Sequence, residues 1–443
     1  MDGHTRELVE GASISFALKV VGAGLTLALN LLLAHVLGAD GAGLYFLALT
    51  AVTVASVFGR MGLDNVVLRF VAASASESNW SGVKGVYRHG VRLAAIASLG
   101  STILLWLLAP WLANDVFSDP DLAWPIAFMA VATVPISLAK LHAEMLRGLK
   151  RILYATLVQP IGGVVFPALT SAGIVFLAIP YGLSGATIGY ALAAAATFLA
   201  GLALWRKSTP KLKNVSASFP PQTLLRSSMP LFWSSSINLL MTWTGTIVLG
   251  VYATSTDVGV FNVASRTAAI TGFVLVAVNS IAAPKFAALY NAGDRYGLER
   301  LAQRATWMMV AAATPALLLF IAFPEPIMRI YGSEFAVGGT VLMVLAVGQF
   351  INVATGSVQY LLMMTGHERV VRNCVAISAF ANVSLNLVLV PIWGIIGAAI
   401  AAAISMSTLN LLAWSLVRGK LRVDLIGIPW TALRPSPSTS SSG

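Results

Sequence analysis

Charge is what this sequence has least of. Asp, Glu, Lys and Arg make up only 10% of its 443 residues, against about 25% in an ordinary soluble domain. Hydrophobic residues make up 57%. So few charges cannot cover the surface of a soluble protein of this length. That excludes a soluble enzyme and a disordered chain, and it points to a polytopic membrane protein. Cysteine is nearly absent as well: Cys374 is alone and can form no internal disulfide. No Cys/His cluster has metal-ligand spacing, so neither a metal nor a cofactor is expected. The phosphate-loop, HExxH and Gly-x-Ser-x-Gly signatures are missing, and no catalytic residue is assigned.

What the chain does have is apolar runs long enough to cross about 30 Å of hydrocarbon. Twelve can be drawn, at roughly 13–36, 43–68, 91–112, 122–143, 153–178 and 184–205, then 228–252, 258–283, 303–323, 337–363, 371–391 and 394–417. The predicted fold class is therefore all-α, with twelve transmembrane helices. The first run is too long for a cleaved leader and is flanked by Glu7 and Glu10. Pro135, Pro160, Pro167 and Pro315 fall inside runs and predict kinks or locally opened helices.

The positives test this map. Twenty-five of the 28 Lys and Arg residues fall in the two termini, in every second connection or in the span ends that border it. The intervening connections hold only Arg329, and Lys19 and Arg266 lie inside predicted spans. A wrong span count would scramble the alternation. By the positive-inside rule both termini should be cytoplasmic, in a multi-pass protein of the cell (inner or plasma) membrane. The net charge of +11 is then a topology signal, and nucleic acid is not an expected partner.

Two halves are expected: a six-helix half over 1–207, a polar cytoplasmic linker over 208–225, and a second six-helix half over 226–420. A tail over 421–443 follows, its Ser/Pro-rich end disordered. The halves echo one another. GAGLYFLA (Gly41–Ala48) faces DVGVFNVA (Asp257–Ala264), with Gly43 matching Gly259 at an offset of 216. PYGLSGA (Pro180–Ala186) echoes PIWGIIGA (Pro391–Ala398), with Gly182 and Gly185 matching Gly394 and Gly397 at an offset of 212. Parallel repeats of this kind are a transporter architecture, with substrate bound between the halves around a central cavity.

Acids lie mostly at loops and helix ends, Glu144 among them, so the predicted spans carry cations with almost no anions. Arg266 is about nine residues, or roughly 14 Å, into the eighth span, where an Arg costs about 2.5–3.5 kcal/mol to insert. It must face either a wet cavity or a partner on another helix; Asn262 and Ser265 add polarity beside it. Lys19 can look into the same cavity or snorkel to the interface. Arg60 can bind an anion or pair with Asp64 at i+4. Lys84, Arg88 and Arg92 form a stripe that is either an interfacial anchor or a cytoplasmic landing strip for a phosphate group. Polar faces recur on the seventh span (Ser234, Ser235, Asn238, Thr242), the tenth (Gln349, Asn352, Thr355, Gln359) and the eleventh (Asn382, Asn386). They suit a sugar or glue between helices.

The glycine motifs VLGADGAGLYFLA after the first span, GLDNVVLRFVA closing the second, and PYGLSGA and PIWGIIGA before the sixth and twelfth resemble the polysaccharide-precursor flippases. These are the O-antigen and capsule repeat-unit transporters of the MOP exporter superfamily, relatives of the MATE drug exporters and the lipid II flippases. The resemblance covers about residues 5–420. It implies a non-enzymatic flippase that moves an undecaprenyl-pyrophosphate-linked oligosaccharide from the inner to the outer leaflet by alternating access, for surface polysaccharide biosynthesis. Its implied partners are that substrate, membrane lipids and polysaccharide polymerase or export proteins. The resemblance places Lys19, Arg60 and Arg266 on the helices that line the cavity, and Asn238, Asn262, Gln349 and Asn352 complete the expected substrate site. A MATE-like ion-coupled exporter of small solutes is the alternative, and it needs a carboxylate in the cavity. A membrane glycosyltransferase or ligase is a third reading, and it needs a large outer loop.

Overall fold

The computed structural model describes residues 3–160, 162–421 and 423–425. Arg422, Arg434 and the Ser/Pro-rich end lie outside the described residues, as do the side chains of Arg6, Glu7, Glu10 and Ser234. Helices dominate, and no strand occurs among the described residues.

The helical stretch Gly3–Arg60 has 58 residues and at 1.5 Å per residue would run about 87 Å, nearly three bilayer cores. It is two crossings joined at Gly38, whose φ of 67° breaks the helix. We call them α1 (3–37) and α2 (39–76, interrupted at Met61–Gly62). The others are α3 (80–116), α4 (120–148), α5 (152–178), α6 (183–208), α7 (Pro221–Tyr252), α8 (255–291), α9 (Arg295–Ala322), α10 (333–364), α11 (368–393) and α12 (395–421). Twelve crossings are thus traced among the described residues, in the order and near the bounds that the apolar runs predict.

Prolines act by position. Pro135 follows a 44° bend between Pro120–Ala130 and Thr133–Gly148. Pro160 lies in the opened stretch of α5. Pro167 sits in the first turn of Val165–Gly173, where its missing N–H would have no helical partner anyway. Pro315 lies inside the uninterrupted helix α9, so no opened stretch forms there.

The internal repeat is written in the backbone. Gly182 (φ 57°, ψ −137°) and Gly394 (φ 53°, ψ −129°) adopt the same non-helical conformation, one that is essentially glycine-only. Three residues on, Gly185 abuts the carbonyl of Leu177 and Gly397 that of Leu389. The start of α3 repeats at the start of α9 with an offset of 215. Asn79 accepts from the Gly82 amide at 2.8 Å, and Asp294 accepts from the Gly297 amide at 2.8 Å. Asn79, part of a sequon in the sequence, is therefore a helix cap.

The halves meet along α2 and α8, where Tyr45, Phe46, Phe261 and Phe335 share one buried core. The connection after α6 is strapped onto the first half. Lys84 donates to the Val215 carbonyl at 2.6 Å, the Ser218 amide donates to the Ser81 carbonyl at 3.1 Å, and Phe219 meets Phe70 at 5.0 Å. Helix α7 then begins at Pro221, earlier than residue 228. Beyond α12 the chain stays packed for a few residues: the Asp424 amide donates to Glu299 and its carbonyl accepts from Gln303.

Candidate functional site

Helix α8 is set by its first turn. Thr254 and Asp257 form a reciprocal capping box, each side chain accepting from the other's backbone amide. The helix runs regularly to Ala268 and then tightens into a 3-10 turn at Ala269–Gly272. Arg266 sits in the last regular turn. Its guanidinium lies over the ring of Phe46 on α2, 4.7 Å from the centroid. A desolvated cation over an aromatic face gains about 0.5–2 kcal/mol, and this contact crosses between the halves. No carboxylate among the described residues pairs with Arg266.

On its other side Arg266 looks into a cavity of about 560 Å³ walled by α7, α8, α10, α11 and α12. The polar part of the wall is Asn238, Thr242, Thr246, Asn262, Ser265, Arg266, Gln349, Asn352, Gln359, Asn382, Asn386, Ser405 and Asn410. Trp243 and Phe261 supply aromatic surface, and none of the lining residues is acidic. Several amides are held in place. Asn262 donates to the Val258 carbonyl at 3.0 Å, Thr246 donates to the Asn262 Oδ1 at 3.4 Å, and Gln359 donates to the Asn410 Oδ1 at 3.2 Å. The chamber thus has one fixed cation, a neutral amide-rich wall and no compensating anion. Chemically it can bind an acidic group at Arg266 and hydroxyl-rich matter beyond it.

Five residues singled out in the sequence, Asn238, Asn262, Arg266, Gln349 and Asn352, come together here. Two others do not line this cavity. Lys19 is exposed on α1. Arg60, near the basic end of α2, donates to Asp64 at 3.0 Å and to Ser56 at 3.0 Å. Of the α3 stripe, Lys84 is engaged with the Val215 carbonyl, while Arg88 and Arg92 are exposed.

Glu144 lies near a helix end, as expected, but it is not solvated there. It is 3% exposed inside α4, bonded to Lys140 at 2.8 Å and Arg147 at 2.7 Å. Arg147 also donates to Gln159 at 2.8 Å, which ties α4 to the opened stretch of α5.

Sequence reading missed Asn410, Trp243 and Phe46. An Asn deep in the Ala/Ile-rich last span was a usable signal for the first. Nothing distinguishes Phe46 from any other apolar residue until α8 is packed against it.

Comparisons with known proteins agree with this geometry. The profile of the polysaccharide biosynthesis protein family matches residues 8–290, and that of MatE matches residues 230–388. A probable low-salt glycan biosynthesis flippase, Agl15 of Haloferax volcanii, is 24% identical over 88% of this chain and 79% of its own length. Stage V sporulation protein B of Bacillus subtilis is 22% identical over 94% of this chain and 85% of its own. Among solved structures, the lipid II flippase MurJ in an inward closed conformation superposes with a TM-score of 0.75 at 16% identity, covering 91% of this chain and 87% of that one. An inward-facing multidrug-resistance MATE transporter of the MOP superfamily gives 0.72 at 15% identity, covering 93% and 98%. The fold is that of these multi-pass membrane transporters. With a profile match across more than half of its length, the chain belongs to the polysaccharide biosynthesis protein family.

Proposed function

We propose that this protein is a flippase for a polyprenyl-pyrophosphate-linked oligosaccharide, moving it from the inner to the outer leaflet by alternating access. The observation that carries the reading is Arg266: a cation held at the junction of the halves, facing a chamber without an acid. A pyrophosphate is the concentrated anion such a site prefers, and guanidinium–phosphate hydrogen bonds are of the strong, charge-assisted kind. The prenyl chain needs no seat, because it can stay in lipid while the halves, 1–207 and 226–420, rock about the headgroup. A relative named as a probable glycan biosynthesis flippase and another named as a probable flippase support the same class of cargo.

In this reading the Lys/Arg-rich end, with both termini, faces the cytoplasm of the cell membrane. Lys19 and the exposed Arg88 and Arg92 attract the headgroup there. Arg60, met by Asp64, contributes position more than free charge. Polymerase or export proteins would take over the product at the outer leaflet. Flipping of a fluorescent prenyl-pyrophosphate glycan by proteoliposomes tests the proposal. Wild-type protein should move it and Arg266→Ala should not; equal rates in protein-free vesicles would refute it.

The MatE match favours one further reading, an ion-coupled exporter of small solutes. It predicts proton- or sodium-driven efflux of cationic drugs from the same vesicles. The carboxylate-free chamber predicts none.

A further inference from the structure

We infer that the chamber in the second half is a seat for uncharged sugar rings, so that the cargo is held asymmetrically, its pyrophosphate at Arg266 and its glycan within the second half alone. The inference rests on the flippase reading and adds where, and by what chemistry, the glycan is bound.

The repeat carries the argument. Because Gly182 matches Gly394 in conformation and Gly185 matches Gly397 in its contact, α6 and α12 are in register at an offset of 212. At that register Tyr190 corresponds to Ala402 and Phe198 to Asn410; on α2 and α8, at 216, Phe46 corresponds to Asn262. The same helix positions carry packed aromatic rings in one half and line an open chamber in the other. In the first half Tyr190 packs edge-on against Phe166 (5.2 Å) and Tyr45 (6.2 Å), and Phe198 packs against His142 (5.6 Å). In the second half the three counterparts all line the open chamber. Two aromatics have become amides and one has become alanine. Loss of bulk alone would give an apolar void; exchange for amides gives a polar one.

The wall is suited to hydroxyl groups. Each amide offers both donors and acceptors, as a sugar hydroxyl does. The Asn386 Oδ1 is buried at this wall and has no hydrogen-bond partner, although its own Nδ2 is spent on the Asn382 carbonyl at 2.8 Å. A buried, unpartnered acceptor behind the wall of a cavity is one that a small turn of its side chain would offer to a donor from the occupant. Trp243 presents a ring surface to the same space, apolar like the C–H face of a pyranose. The volume of about 560 Å³ falls within the range of about 300–1,000 Å³ typical of small-molecule seats.

Two probes separate the glycan seat from the anion seat: farnesyl pyrophosphate, and the same molecule carrying a disaccharide of N-acetylglucosamine. Each is titrated against the full chain in nanodiscs, with tryptophan fluorescence as readout. The glycan-bearing probe should bind about tenfold more tightly or better, the discrimination expected of a site built to hydrogen-bond hydroxyls. Asn410→Phe and Ala402→Tyr, which install the first half's side chains, should bring that ratio close to one. Asn386→Ala, which adds no bulk, should reduce it several-fold. Arg266→Ala should weaken both probes together. Equal affinity for the two probes in the wild type overturns the seat and leaves the flippase reading standing, as does a ratio that survives in both Asn410→Phe and Asn386→Ala. Failure of both probes to bind at all overturns the flippase reading and the seat with it.

Discussion

Gly43 of α2 and Gly259 of α8 lie back to back across the junction of the halves, so close that a Cβ on either would fall 3.1 Å from the other's backbone nitrogen. The two are repeat equivalents. A side chain on Gly43 would strike the Ser255 carbonyl, and one on Gly259 the Ala39 carbonyl. One turn away Ser255 donates to Asp40 across the same seam. Glycine at both positions is what lets two membrane helices touch backbone to backbone, and it closes this end of the molecule.

Opening and closing of that seam should be trappable. In a chain whose single native cysteine, Cys374, has been replaced, Asp40→Cys with Ser255→Cys should form a disulfide on oxidation and abolish flipping, and reductant should restore it. Gly43→Ala should lower both the crosslinking yield and the flipping rate several-fold, because closure is sterically blocked. Unchanged flipping in the crosslinked protein would show that the seam does not move.

Arg266 should tolerate no neutral substitute. Arg266→Ala should reduce flipping by more than about tenfold, and Arg266→Lys should recover only part of it, because an ammonium lacks the planar fork and stacks less well. Phe46→Leu removes the cation–π contact, worth about 0.5–2 kcal/mol, and should lower the flipping rate several-fold because the guanidinium loses its seat. Initial flipping rates in proteoliposomes with matched protein content measure all three.

Glu144 should matter for stability rather than transport chemistry. Glu144→Gln leaves Lys140 and Arg147 facing each other beside a 3%-exposed neutral group. Both cations are partly solvated, so the cost should be about 1–3 kcal/mol, below that of a fully buried broken pair. Thermal unfolding in detergent should show a lowered midpoint with anion binding retained.

Gly182 and Gly394 provide a test of the repeat itself. A Cβ at either would meet nothing within 4 Å, so Gly182→Ala and Gly394→Ala should cost backbone strain alone, about 1–3 kcal/mol each. Because the dihedrals match, the two losses should be nearly equal. A large difference in unfolding midpoint between them would show that the two turns are not energetically equivalent.

Much of the architecture was legible in one dimension. Hydrocarbon thickness dictates the length of an apolar run, so crossings could be counted. Glycines at fixed offsets marked the repeat because only glycine adopts the turn at Gly182 and Gly394. Helical spacing raised the Arg60–Asp64 pair, and the pair forms although the backbone turns at Met61–Gly62 between its members. The same rule placed Asn382 beside Asn386. The burial and double pairing of Glu144 were not legible, because a buried acid near the end of a run looks, in sequence, like one just outside it.

Composition, span length and the alternation of Lys and Arg by themselves determined a twelve-crossing all-α membrane protein with a repeated half, because those features answer to the bilayer, a solvent common to all such chains. Only the tertiary structure decided what Arg266 faces, that Phe46 from the other half lies beneath it, and that the open chamber belongs to the second half. Those depend on which side chains of distant helices converge, and packing sets that; no spacing along a single helix encodes it.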